Sequence, residues 1–309
     1  MSKPVVAIIG RPNVGKSSFF NALLGERVSI VHDQPGVTRD RIYATAKWRE
    51  RDFLLIDTGG IEPEADDVLL KSMRAQAQVA METADVIVFM CDLKAGLTAS
   101  DHDIAIMLRK SKRPVIVCVN KVDHVGTLPA ELYEFYNLGL GEVYPISASH
   151  RLGVGELLDA IYDHFPKENE GGDDEETIRV ALIGKPNAGK SSLSNKMAGE
   201  DRSIVSDIPG TTRDAIDSLI VNSHGSYTII DTAGLRKKSR IEDSVEKYSM
   251  LRSLAAIERA NVCVIMIDAS EGVTEQDTKV AGYAHNAGKA CIIAVNKWDL
   301  IEKTTGTLE

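Results

Sequence analysis

The sequence predicts an α/β fold built twice: each copy is a mostly parallel sheet flanked by helices, and the second copy is incomplete at its C-terminus. Three observations carry this. Four motif blocks recur in one order at nearly constant spacing. Within each copy, short apolar runs alternate with longer helix-compatible segments, the pattern of a parallel sheet covered on both faces. The 309 residues suit two domains of roughly 100–200 residues each.

The repeat begins with Gly10-Arg11-Pro12-Asn13-Val14-Gly15-Lys16-Ser17, which returns 174 residues on as Gly184-Lys185-Pro186-Asn187-Ala188-Gly189-Lys190-Ser191. Ser29 to Asp40 returns as Ser203 to Asp214 at the same offset, with nine of twelve positions identical. Asp57-Thr58-Gly59-Gly60 returns as Asp231-Thr232-Ala233-Gly234. Asn120-Lys121-Val122-Asp123 returns as Asn296-Lys297-Trp298-Asp299, now offset by 176, so two residues are inserted between the third and fourth blocks. Four blocks in one order point to tandem duplication.

Taken in chain order, Val5–Ile9 is an apolar run that reads as a strand, and Ser17–Leu24 after it as a helix. Phe53–Ile56, Val86–Met90, Val115–Val119 and Val143–Ile146 are further apolar or β-branched runs, read as strands. Gly153–His164 then reads as a closing helix. In the second copy Val180–Ile183, Tyr227–Ile230, Val262–Ile267 and Cys291–Val295 repeat the strand pattern.

Charge divides unevenly. The net charge is -9; residues 1–165 carry -4, residues 166–177 carry -5, and residues 178–309 are neutral. The stretch from Pro166 to Thr177 has six acids, two adjacent glycines and no large apolar residue. It reads as a flexible, self-repelling linker between domains 1–165 and 178–309. Neither globular part is basic enough to indicate a nucleic-acid binder on charge alone. Apolar runs of about six to eight residues fall far short of the roughly 20 that span a bilayer. Met1-Ser2-Lys3-Pro4 opens no secretory leader, so the reading is a cytoplasmic protein with no membrane partner. Cys91, Cys118, Cys263 and Cys291 each sit in an apolar strand-like run and form no C-x-x-C pair. They read as small buried hydrophobes. No histidine spacing points to a structural metal.

The pattern G-x-x-x-x-G-K-S directly after an apolar strand is a phosphate-binding P-loop. Gly10 and Gly15, with Gly184 and Gly189 in the second copy, let the backbone turn its N–H groups toward an anion at a helix N-terminus. Lys16 and Lys190 supply positive charge to the β- and γ-phosphates, and the Ser17 and Ser191 hydroxyls suit Mg²⁺. Asp57 and Asp231, each ending an apolar strand, can hold a Mg²⁺-bound water. Gly60 and Gly234 leave a backbone N–H free to approach the γ-phosphate. Thr38 and Thr212 lie in loops between these blocks, where a threonine can complete the Mg²⁺ shell and release it after hydrolysis, as a switch does.

The fourth block selects the base. The Asp123 and Asp299 carboxylates can accept N1–H and the 2-amino group of guanine, a donor pair that adenine lacks. The aliphatic stems of Lys121 and Lys297 can stack on the base. Ser147-Ala148-Ser149 follows the last strand of copy one, and the Ala148 N–H suits guanine O6. The fold is therefore two tandem P-loop G domains. GTP and GDP, with Mg²⁺, are the ligands this reading calls for.

These blocks, together with the paired P-N-x-G-K-S loops and the acidic linker, resemble the EngA/Der family of tandem Era-like GTPases, over essentially the whole chain. The resemblance implies GTP hydrolysis coupled to assembly of the large (50S) ribosomal subunit and its rRNA. It also implies a third, K-homology-like domain as the main ribosome-binding part, and a monomer. Ile61 and Leu235 follow the D-x-x-G blocks, where Ras-like GTPases place glutamine. An apolar side chain cannot orient the attacking water, and the resemblance places the chain in a hydrophobic-substituted branch. Asn13 and Asn187 are implied to help bind K⁺ against the phosphates. A tRNA-modification role and a non-hydrolysing, nucleotide-regulated module are the alternatives to ribosome assembly.

Copy one runs 42 residues past Asp123 to Phe165, and copy two runs 10 past Asp299. Copy two is thus expected to lack its last strand, last helix and guanine-loop counterpart, leaving the strand that ends at Val295 uncovered. Guanine binding is expected to be weaker there.

Overall fold

The first strand, β1 (Val5–Ile9), is buried at every position, and the sheet of the first unit grows outward from it. The computed structural model describes residues 3–25, 43–58, 66–123, 126, 128–166, 177–200, 217–222, 225–230 and 245–302. After β1 come α1 (Lys16–Gly25), β2 (Tyr43–Trp48), β3 (Arg51–Asp57), α2 (Asp66–Thr83), β4 (Val86–Asp92), α3 (Ala99–Leu108) and β5 (Val115–Asn120). A 3-10 helix (Ala130–Leu138), β6 (Val143–Pro145) and α4 (Val154–Asp163) complete the unit. The strand order is β2-β3-β1-β4-β5-β6. All pairings are parallel except β2 on β3.

The second unit repeats this with β7 (Thr177–Ile183), α5 (Lys190–Glu200), β8 (Ser218–Asn222), β9 (Gly225–Ile230), α6 (Val245–Arg259), β10 (Val262–Asp268), α7 (Glu275–Asn286) and β11 (Ala290–Asn296). Its order is β8-β9-β7-β10-β11, the first sheet without a sixth strand among the described residues. Register repeats too. Ala7 pairs with Ile56 and Ala181 with Ile230. Ile87 pairs with Val115 and Cys263 with Cys291. The offset is 174 through β9 and 176 from β10, so the insertion lies between those strands. The chain divides into two compact units, Lys3–Glu168 and Asn169–Glu309.

In the first unit α1 buries Phe19, Phe20 and Leu23 against β1 and β3, and α4 adds Leu157, Leu158 and Ile161. Each such side chain contributes about 1.5–3 kcal/mol of burial. α4 also clasps the β2–β3 hairpin. The Trp48 indole donates to Asp159 at 2.7 Å, and Arg51 donates to the Pro166 carbonyl at 2.7 Å. In the second unit Leu193 and Met197, the counterparts of Phe19 and Leu23, are only partly buried.

Two expectations change here. Strands β2 and β8 join those expected: β2 has no continuous apolar run, which a hairpin partner at a sheet edge does not need, and β8 has only the short run Leu219-Ile220-Val221. Cys91, Cys118 and Cys263 are buried, but Cys291 is exposed. It lies on the edge strand β11, where Ile292 and Ile293 are 54% and 65% exposed. Their counterparts on β5, Ile116 and Val117, are 3% and 1% exposed; β5 is covered along its edge by β6, and Ile116 packs in the cluster with α4. Among the described residues the edge of β11 is therefore uncovered, as expected. Among the described residues no helix is long and apolar enough to cross a membrane.

Candidate functional site

The site lies at the C-terminal ends of the strands. There β1 lies between β3 and β4: its own connection runs through α1 to β2 on one side, and β3 crosses through α2 to β4 on the other, the topological switch point at which α/β sheets bind ligands. The β1–α1 loop turns back at this point. Lys16 is buried at the first turn of α1, and its ammonium donates to the Gly10 and Arg11 carbonyls at 2.9 and 2.7 Å. Lys190 makes the same bonds to Gly184 and Lys185, each at 2.6 Å. Asn13 and Asn187 hold left-handed backbone conformations, φ 63° and 65°. Arg11 reaches α3, donating to the buried Asp101 carboxylate at 3.0 Å.

Ser17 and Asp57 come from different blocks, and the fold brings them together. The Ser17 hydroxyl donates to Asp57 Oδ2 at 3.2 Å. A hydroxyl and a carboxylate this close are hard oxygen donors of the kind Mg²⁺ prefers. Thr58 is turned away, fully buried, and donates to the Ile8 carbonyl at 2.6 Å. It braces the ends of β1 and β3.

The fourth block is a strut. Asn120 ends β5; its Nδ2 donates to the Val14 carbonyl at 2.8 Å and its Oδ1 accepts from Ala148 N at 2.9 Å. The Ala148 N–H expected at guanine O6 is thus engaged within the protein. Asn296 repeats the first bond, donating to Ala188 O at 2.9 Å. Gly15 has φ 98°, and a Cβ there would collide with Asn120 Nδ2. Only glycine fits at that contact.

Asp123 accepts from Lys94 Nζ at 2.7 Å and from the Ser147 hydroxyl at 2.8 Å. The Lys94 contact first, then Ser147, hold its carboxyl down at about 2. Thr38, Gly59, Gly60, Ile61, Thr212, Asp231, Thr232, Ala233, Gly234 and Leu235 lie outside the described residues.

Sequence reasoning passed over one pair. Lys121 has φ 67°, and its ammonium donates to Asp92 Oδ2 at 2.6 Å. Lys297 has φ 60° and donates to Asp268 Oδ2 at 2.5 Å. Asp92 and Asp268 end β4 and β10. The signal was in the repeat: Asp92, Gly96, Thr98 and Asp101 recur 176 residues on as Asp268, Gly272, Thr274 and Asp277. Thr98 and Thr274 each cap a helix through a capping box with that last aspartate.

The profile of the family described as 50S ribosome-binding GTPase matches residues 5–121 and 179–297. The GTPase Der of Acetivibrio thermocellus is 64% identical over all 309 residues, which span 70% of its length. The chain belongs to the GTPase Der family. The Ruminiclostridium cellulolyticum GTPase Der is 62% identical over the same span and the same 70% of its own length. Among solved structures, a point variant of Aquifex aeolicus Era bound to GDP·AlF4⁻ is 24% identical, with a TM-score of 0.41, over 96% of this chain and 93% of that one. As a member of the Der family the chain is a GTPase with two G domains, and it hydrolyses GTP.

Proposed function

We propose that this GTPase is a switch in the assembly of the large ribosomal subunit, working as a cytoplasmic monomer. The name of the matching family supports the ribosomal partner. In this reading residues 1–165 and 178–309 are the G domains, joined by the acidic stretch 166–177.

The observation that carries the nucleotide site is the Ser17–Asp57 contact beside Lys16, between the first turn of α1 and the end of β3. Backbone N–H groups of the 10–17 and 184–191 loops cradle the phosphates. Mg²⁺ would be held by Ser17, Thr38 and, through water, Asp57, and by Ser191, Thr212 and Asp231 in the second domain. It would offset charge building on the phosphates during transfer. Lys16 and Lys190 turn from the loop carbonyls to the β- and γ-phosphates. Gly60 and Gly234 present N–H groups to the γ-phosphate. Asp123 and Asp299 read the guanine donors, Lys121 and Lys297 lie along the purine face, and the Ser147–Ala148 turn closes the first pocket. With Ile61 and Leu235 in place of a polar side chain, Asn13 and Asn187 would hold K⁺, which would supply positive charge at the phosphates.

GTP turnover by the chain carrying Lys16→Ala, Lys190→Ala or both tests the site. Each single variant should lose one domain's contribution, and the double variant should be inactive. Undiminished turnover in the double variant would overturn the assignment. Co-sedimentation with 50S subunits, using a chain of the relatives' full length, should be stronger with a GTP analogue than with GDP. Equal sedimentation in both states would remove the switch.

A further inference from the structure

Both G domains pin the lysine of their base-reading block to a carboxylate that the motifs do not include. Lys121 leaves β5 in a left-handed conformation, and its ammonium ends on Asp92 Oδ2. Asp92 is itself fixed, because its Oδ1 accepts the Lys94 N–H at 2.9 Å. In the second domain Asp268 Oδ1 accepts the Ser270 N–H at 3.0 Å and the Ser270 hydroxyl at 2.6 Å, while Oδ2 takes the Lys297 ammonium. The two aspartates are 6% and 1% exposed. The two lysine side chains are 33% and 34% exposed. Each lysine is therefore anchored at both ends, by the backbone at the strand terminus and by a buried carboxylate, with about a third of its side chain exposed. The neighbouring turn residues differ, Lys94 against Ser270, so the arrangement survives a change in its surroundings.

We propose that Asp92 and Asp268 are positioning residues that stretch Lys121 and Lys297 into fixed apolar straps on which guanine stacks. This rests on the nucleotide-site reading above. A free lysine side chain loses substantial rotamer freedom when ordered. A strap ordered before the base arrives has already met that cost. The aspartates touch neither base nor phosphate, so they act on affinity and not on the chemical step.

The test uses the full chain carrying Lys190→Ala, so that only the first site reports. Dissociation constants are measured for GDP and for inosine diphosphate, which lacks the 2-amino group. Asp92→Asn should raise both constants about tenfold by the same factor, with kcat at saturating GTP held within twofold. Lys121→Ala should raise both dissociation constants by a similar factor, and the Asp92→Asn/Lys121→Ala double variant should bind no more weakly than Lys121→Ala alone. Unchanged affinity in Asp92→Asn, additive losses in the double variant, or an altered GDP-to-inosine-diphosphate ratio would overturn the strap. Asp123→Ala separates the two readings. If it too leaves GDP binding intact, the base site is misplaced; if it weakens binding while Asp92→Asn does not, only the strap fails. Should Asp92→Asn not fold, Asp268→Asn in a Lys16→Ala chain repeats the measurement at the second site.

Discussion

The Asn120 side-chain amide donates to the Val14 carbonyl at 2.8 Å, across 106 residues of sequence. Its oxygen accepts from Ala148 N, 28 residues further on. One buried side chain thus ties the phosphate loop to the base loop. Asn120→Ala removes two hydrogen bonds and strands buried partners, a loss of about 2–3 kcal/mol. Asn296 makes the Ala188 bond alone among the described contacts, so Asn296→Ala should cost about 1 kcal/mol. The chain's two tryptophans, Trp48 and Trp298, fall one in each unit. Urea unfolding with one of them replaced by Phe reads each unit separately.

The K⁺ proposal predicts a cation dependence. GTP turnover should be several-fold faster in KCl than in NaCl at equal ionic strength. Asn13→Ala and Asn187→Ala should each reduce that ratio in their own domain, measured with the other domain silenced at its P-loop lysine. Equal rates in the two salts would sink the idea.

The inner strands were legible because a doubly covered strand must be apolar at nearly every position, and β1 and β4 are buried throughout. β7 starts three residues before its apolar run, because Thr177, Ile178 and Arg179 continue the parallel pairing with β9. β2 was not legible: its burial is mostly intermediate, and Thr45 and Lys47 interrupt the apolar residues. The P-loops and base-reading blocks stood out because phosphate and guanine restrict residue type at fixed spacing. Asp92 and Asp268 did not, since an aspartate at a strand end is ordinary turn chemistry. Only the lysine contacts give it meaning.

The bare edge of β11 predicts unequal domains in this 309-residue chain. Val119 of β5 is fully buried, while its counterpart Val295 on β11 is 48% exposed. Amide hydrogen exchange reports local opening, which comes cheaply where few apolar contacts cover the backbone. The β11 amides should exchange markedly faster than those of β5. The second site also has no described counterpart of the Ser147–Ala148 turn, so its GDP affinity should be about tenfold weaker. Separate titrations of the Lys190→Ala and Lys16→Ala chains compare the sites, and equal affinities would contradict the argument.

Asp268 should leave a signature in acid. Lys297 first, then Ser270, hold its carboxyl at about 2, against an ordinary value of 3.8. The native state therefore keeps the ionised form to lower pH than the unfolded chain does. The resulting stabilisation is complete above about pH 4 and fades as pH falls through about 2. Replacing the carboxylate by an amide removes that dependence. The Tm difference between the parent chain and Asp268→Asn should stay constant from pH 7 to about pH 4 and narrow below it. A difference that instead shrank between pH 7 and 5 would mean that the carboxyl titrates near neutrality, and the Lys297 contact would then not be holding it.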